Sequence, residues 1–417
     1  MITKIPGLGK KSESQENLQE ASNVVQLKQK RNIPYMIILL VIVILVLVGG
    51  YFLMNRTYKN YKVDVQYNHE DENAMEYLSF QGGFIKYNTD GITYEDKLGN
   101  TVWTEALTMT EPKVVIRGNY VALADIGNNQ YLLYNTVKKI GTFTTDYPVI
   151  DIQLATQGMV TVILEDEKVN YIMAFDQDGE KCLEIKTTIN KNGYPIAVAV
   201  SEDGTKMVVS YITIEGTQVE SSLTFYNFGN VGKNEVDRQV GYKKFDNELI
   251  MKVEFLGNDK ICAFGDNRIV LYEMKQKPKE IMNRQISKQM KSILYNDKYV
   301  GYVYKDTSLP KAEEDDAKED GVEQKTEDNS THYVIQMFTT GGKVALTQDI
   351  DFNYTSIHST EKEIVVVAKD RCKILKYNGF VKYDKTFDNG LQEFFPTNRR
   401  NRYVMITNEY TKLIKLK

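Results

Sequence analysis

The sequence predicts an all-β fold, a β-propeller of eight four-stranded blades, preceded by one transmembrane helix. Three observations carry that expectation. A phrase recurs eight times after residue 80, an alternating apolar strand that ends in an aromatic or aliphatic residue and runs into a turn. The copies are GITYEDKLGN at Tyr94, YLLYNTVKKIG at Tyr134, YIMAFDQDGEK at Phe175, SLTFYNFGN at Phe225, RIVLYEMKQK at Tyr272, VIQMFTTGGK at Phe338, CKILKYNGF at Tyr377 and TKLIKLK at Ile414. Their spacing averages between 40 and 50 residues, the period of a propeller blade built from four short strands and three turns. The last repeat supplies three strands only, and an unassigned strand upstream of the first repeat is available to complete it. Finally, twenty residues near the N-terminus carry no charge.

Residues 1–34, rich in Ser, Gln, Asn and Lys, hold too little apolar surface to fold alone, and a disordered cytoplasmic tail is expected there. From Tyr35 to Met54 the chain reads YMIILLVIVILVLVGGYFLM. At about 1.5 Å per residue such a helix covers the roughly 30 Å hydrocarbon core of a bilayer. A cleaved signal peptide has an apolar region of about 7–15 residues followed by small residues. Here the stretch is longer, Tyr51, Phe52 and Met54 follow it, and no cysteine stands near its end to take a lipid. Tyr35, Tyr51 and Phe52 occupy the positions of an aromatic belt. Lys28, Lys30 and Arg31 before the helix are matched by Arg56, Lys59 and Lys62 after it, and the further Lys4, Lys10 and Lys11 tip the balance toward a cytoplasmic N-terminus. Long following domains translocate largely regardless of their charge, so residues 55–417 are expected to form an extracytoplasmic propeller.

Within the propeller the third blade reads most clearly: PVIDIQLA, GMVTVILED, VNYIMAFDQD and KCLEIKT alternate or run apolar, with Gly, Asp and Asn at the turns. The first two blades start at about Met75 and Glu111. Blade four contains PIAVAVSEDGTKMVVSYI, with an SEDG turn between two apolar strands, and blades five to seven start at about Leu249, Gln289 and Tyr354. The eighth unit contributes QEFFPT, RYVMIT and TKLIKLK. Tyr61–Tyr67 (YKVDVQY) alternates as a strand should, and its pairing with the C-terminal strand closes the ring and removes the open sheet edges. Residues 306–331, dense in Glu, Asp and Lys, interrupt blade six as a disordered loop.

Composition narrows the function classes. The formal charge of −4 is uneven: residues 1–32 carry six Lys/Arg against three Glu, and residues 311–330 hold nine acids and three lysines. The rest is close to neutral, without the basic surface that nucleic acid requires. The acidic run DDAKEDGVEQKTED lacks the ordered Asp, Asn, Gly and closing Glu of a calcium loop. His69, His332 and His358 fall before the first blade, at the edge of the insertion and in a turn region, with no metal-ligand spacing. Cys182, Cys262 and Cys372 lie in different blades among apolar neighbours and are expected to be buried free thiols. No G-x-S-x-G turn anchors a Ser/His/Asp site. Gly82-Gly83 and Gly341-Gly342 fall in hairpin turns and not in a phosphate loop. The 28 tyrosines mostly occupy strand positions where aromatic rings fill the space between blades. No catalytic, cofactor-binding or metal residue is nominated.

The first repeat, GITYEDKLGNTVW, resembles that of the pyrroloquinoline-quinone type propellers, in which a Gly-containing turn precedes a strand carrying Trp; Trp103 keeps that feature. The period is also WD40-like. Resemblance to the quinoprotein alcohol dehydrogenases implies eight blades around a central cofactor, but the adjacent cysteine pair, the second Trp and the calcium-binding set are absent from the sequence. The outer-membrane assembly lipoprotein with an eight-bladed propeller is a non-enzymatic relative of that architecture, and its lipid-anchoring cysteine is missing here. By organisation the whole chain resembles the single-pass, membrane-anchored propeller proteins of clostridial Firmicutes, a family without an assigned activity.

The expected function is therefore a non-enzymatic, membrane-anchored platform that binds an envelope protein or a cell-wall component through loops around the channel mouth. The turns at Asn128-Asn129, Asn192-Gly193 and Asn267 are the candidates for that surface. Two alternatives are an enzyme with a quinoprotein-like or hydrolytic site in the channel, and an envelope sensor acting through a partner.

Overall fold

The computed structural model describes residues 33–68, 75–306, 332–388 and 390–417. The expected tail as far as residue 32, His69 and the acidic segment 307–331 lie outside the described residues. The chain divides into two units, Met1–Thr57 and Tyr58–Lys417. In the first, Ile33–Met54 is a single helix, two residues longer at its start than the sequence suggests. It is apolar around its whole circumference and long enough to cross a bilayer, two properties that a signal sequence shares.

The second unit is an eight-bladed propeller of eight four-stranded antiparallel sheets. Within each blade the strands are lettered a to d from the channel outward. Blade 1 starts at Glu76, blade 2 at Pro112, blade 3 at Val149, blade 4 at Tyr194, blade 5 at Ile250, blade 6 at Met290, blade 7 at Ser356 and blade 8 at Leu391. Each start that the sequence suggested lies within two residues of the observed one. All eight copies of the repeated phrase fall on, or at the end of, strand c.

Burial explains why b and c read as continuous apolar runs while d alternates. Strand b of blade 7, Glu363–Val367 (EIVVV), is buried at every residue because neighbouring blades cover both faces of its sheet. Strand d of blade 3, Lys181–Thr188, has one face on the neighbour and one toward solvent. Between blades 1 and 2, Trp103 stacks on Tyr134 with centroids 4.5 Å apart and donates its indole N–H to the Asn135 carbonyl at 3.0 Å. Tyr131, Tyr134, Tyr211, Tyr383 and Tyr403 are fully buried, so these tyrosines are spacers between sheets.

The ring closes as the sequence suggests. Tyr61–Asn68 is strand d of blade 8 and pairs antiparallel with Tyr410–Leu416, from Tyr61 opposite Leu416 to Asn68 opposite Tyr410. Just before it, the Tyr58 N–H reaches the Lys382 carbonyl at 2.8 Å, and Lys417 N–H donates to the Asn60 carbonyl at 2.8 Å. Arg402 holds Asp64 in an ion pair. The core of this junction comes from both neighbours: Ile414 and Leu416 pack toward blade 7, and Leu413 packs with Tyr77 and Phe84 of blade 1.

Two expectations need correction. Cys182 is exposed, unlike the buried Cys262 and Cys372. It is the extra residue of a β-bulge, where strand d of blade 3 sets two residues against one of strand c, so its side chain leaves the packed face. His358 does not lie in a turn but in strand a of blade 7, Ser356–Ser359, half-buried at the channel wall.

Candidate functional site

Antiparallel order puts the turns of a propeller on two opposite faces. The b–c and d–a connections emerge on one, and the a–b and c–d connections on the other. Asn128-Asn129 is a b–c turn, Asn192-Gly193 a d–a connection and Asn267 a b–c turn, so all three candidates share one face. They are not one site, since they stand in blades 2, 3–4 and 5. Several of their polar groups are used by the turns themselves. Asn128 Nδ2 donates to Asp125 Oδ2 at 2.6 Å, Asn129 Nδ2 to the Thr145 carbonyl at 3.2 Å, and Asn192 Oδ1 accepts from Thr188 N–H at 3.2 Å. Gly193 is required: at φ 86° a Cβ would lie 2.7 Å from the Ile212 carbonyl oxygen.

Charge separates the two faces. In sequence, the b–c and d–a connections hold 24 Asp/Glu against seven Lys/Arg, whereas the a–b and c–d connections, with Lys59 and Lys417, hold 11 against 13. In sequence the acidic segment falls in a b–c connection; among the described residues alone, the b–c and d–a connections hold 12 Asp/Glu against four Lys.

Strand a of every blade lines the channel, and among the described residues cavities open along it. One of about 420 Å³ is bounded by Lys113, Arg117, Asp151, Lys252, Glu254 and Tyr295 among others. A second of about 270 Å³ is bounded by Tyr295, His358 and Phe395 among others. Three carboxylates on a strands, two of them in the walls of the first cavity, tie neighbouring blades together. Asp151 of blade 3, buried, accepts from Lys113 Nζ of blade 2 at 2.6 Å and from Val198 N–H of blade 4 at 3.0 Å. Glu254 of blade 5 accepts from Tyr295 OH of blade 6 at 3.0 Å and pairs with Lys252 at 3.3 Å. Glu393 of blade 8 meets His358 Nε2 of blade 7 at 2.7 Å and Ser356 Oγ at 2.9 Å. Arg117 of blade 2 reaches across to blade 5, donating to the Phe255 carbonyl at 3.1 Å.

The electrostatics follow from this packing. Burial, and then the facing Glu254 carboxylate, push the Tyr295 hydroxyl up to about 12. Burial pulls Lys252 down, but Tyr295 and Glu254 outweigh it and its ammonium is held above the ordinary value. These polar groups interrupt strands such as VIDIQL, IMKVEFL and LQEFFP. The only signal in the sequence was an ionisable residue inside an apolar run. Among the described residues, no group of three or more His, Cys, Asp or Glu is placed to hold a metal ion. His332 stands at the end of the acidic segment, 3.4 Å from Asp349 and apart from His358.

Residues 54–416 match the family described as "Family of unknown function (DUF5711)", and the chain belongs to that family. No curated protein matches it in sequence. Among solved structures it is similar to BamB from Moraxella catarrhalis, at 10% identity and a TM-score of 0.45, covering 86% of this chain and 100% of that one. It is also similar to Sqt1 from Saccharomyces cerevisiae, at 9% identity and a TM-score of 0.48, covering 87% and 99%. Hydrazine synthase from Kuenenia stuttgartiensis is similar at 13% identity and a TM-score of 0.41, covering 81% and 92%.

Proposed function

We propose that this member of the DUF5711 family is a membrane-anchored, non-enzymatic binding platform. In this reading residues 1–34 form the cytoplasmic tail, the apolar helix is the anchor, and the propeller is extracytoplasmic and offers its b–c/d–a face to an envelope protein or cell-wall component. The observation that carries it is the asymmetry of charge: one face concentrates carboxylates, while the chain joins the propeller on the other. A surface of that sign selects partners with a cationic patch and speeds their encounter. The channel supports the same reading, because Asp151, Glu254 and Glu393 are each committed to binding a neighbouring blade.

Proximity labelling from the full chain in native membranes tests the proposal. The wild type is compared with a variant neutralised at four exposed turn acids, Asp146→Asn, Glu167→Gln, Asp370→Asn and Glu409→Gln. Envelope proteins enriched by the wild type and lost from the variant support the proposal. The same set from both chains refutes a role for the acidic face.

A further inference from the structure

We propose that the a–b/c–d face of the propeller docks on an anionic lipid surface. The inference rests on the reading of the apolar helix as an anchor and adds a second contact with the same membrane.

Covalent connection is the first support. Strand d of blade 8 starts at Tyr61 beside Leu416, at the c–d end of the blade. Only Asn55, Arg56 and Thr57 separate Met54, the last residue of the helix, from Tyr58, where the propeller unit begins. At about 3.6 Å per residue that tether reaches roughly 11–14 Å even when fully extended. Anchoring of the helix therefore keeps the c–d end of blade 8 within that reach of the bilayer.

Surface chemistry is the second support. Five c–d connections, or the residue just beyond one, expose a large apolar side chain: Leu98, Val137, Val236, Val344 and Phe380. They belong to blades 1, 2, 4, 6 and 7 and so are distributed around the rim. All five have a cation as sequence neighbour or next-but-one neighbour, Lys97, Lys138, Arg238, Lys343 and the buried Lys382, against the acids Asp96, Glu235 and Asp237 at the same spacing. Apolar tips interleaved with Lys and Arg are what an interfacial surface uses, the apolar groups entering the headgroup boundary and the cations meeting lipid phosphates. Val236 is 83% exposed and Val137 69% exposed.

The test uses the full chain in nanodiscs that hold one copy each, in a Cys182→Ser background where the two remaining thiols are buried. A fluorophore is placed at Val137→Cys on the proposed docking face or at Ile214→Cys on the tip of the b–c hairpin of blade 4. Lipid-borne quencher is expected to quench the first label several-fold more than the second in discs containing phosphatidylglycerol. That difference should collapse in phosphatidylcholine discs, at high salt, and in the charge-reversed variant Lys97→Glu/Lys138→Glu/Lys343→Glu. Equal quenching of the two labels overturns the proposal. Quenching at Val137→Cys that ignores lipid charge, salt and the reversed lysines also overturns it, because the tether alone would then explain proximity. Carbonate extraction of the full chain from native membranes checks the anchor separately: release of the chain refutes anchoring, whereas retention with equal quenching refutes docking alone.

Discussion

Between blades 7 and 8 the structure buries a three-membered polar network whose removal has a calculable cost. Lys382, Glu363 and Tyr403 are 8%, 6% and 1% exposed. Lys382 Nζ donates to Glu363 Oε2 at 2.6 Å and contacts Tyr403 OH at 2.7 Å, and Tyr403 OH donates to Glu363 Oε1 at 2.5 Å. Burial and the facing carboxylate push the Tyr403 hydroxyl far up, so it remains a donor at all ordinary pH. Lys382→Met keeps most of the stem and deletes the charge, leaving a buried carboxylate with a hydroxyl as its remaining partner. Breaking a buried pair in this way costs about 3–5 kcal/mol. At about 2.1 cal/mol/K per residue, a unit of about 360 residues has an unfolding entropy near 0.75 kcal/mol/K, so Tm should fall by roughly 4–7 °C. The double variant Glu363→Leu/Lys382→Met removes both charges and should recover most of that loss, because apolar groups of similar volume replace a buried pair at little cost. Calorimetry of the three proteins at neutral pH measures these shifts. A double variant no more stable than Lys382→Met, or a single variant that melts with the wild type, refutes the reasoning.

Truncating the last seven residues removes the buried Leu413, Ile414 and Leu416 and should lower Tm far more than shortening the acidic segment; equal shifts would contradict closure by these strands. Within the closing pair, Ile414→Ala should cost about 2–5 kcal/mol and Val65→Ala below about 1 kcal/mol, since Ile414 is buried and Val65 partly exposed, as read by denaturant unfolding. Asp151→Ala leaves the Lys113 ammonium and the Val198 N–H without their acceptor and should cost about 1–3 kcal/mol by the same assay. A maleimide should modify Cys182 alone in the folded protein, with Cys262 and Cys372 reacting only in denaturant because burial holds both thiols protonated; mass spectrometry after each treatment counts the adducts.

The blades were legible because their signal is local and repeated. Strand c is covered on both faces, so YLLY, YIMAF and RIVLY could tolerate no polar break, and the turns between carry Gly, Asp and Asn at fixed places. Closure was legible because Tyr61–Asn68 alternates and had no other partner. The channel was not legible. Lys113, Asp151, Lys252, Glu254 and Glu393 look like defects in apolar strands until the ring places each beside a neighbouring blade. His358 was misplaced because His-Ser-Thr reads as turn chemistry, whereas the short strand a of blade 7 is held by its pairing with Ile364–Val367. The shared face of the three Asn turns follows from counting strands, but their separation around the ring depends on blade geometry, which no local pattern contains.

The c–d bulges show why the closing strand is equivalent to the others. In each blade, one residue of strand d is skipped in register opposite the end of the repeated phrase in strand c. These residues are Val102, Ile140, Cys182, Val240, Ile281, Ala345 and Lys382 in blades 1 to 7. In blade 8 the skipped residue is Asp64, although its strand comes from the opposite end of the chain. A bulge sharpens twist and re-aims one side chain, and the re-aimed residue varies with what the neighbour offers. Lys382 turns inward to Glu363, Cys182 turns out to solvent, and Asp64 meets Arg402 of its own blade. Joining the ends at strand d costs the core least, because this outermost position is the least buried in the blade. It also sets both ends of the ring, Tyr61 and Leu416, side by side at the c–d edge. The end of the chain that follows the apolar helix and the closing pair of strands therefore share one face, opposite the b–c and d–a turns.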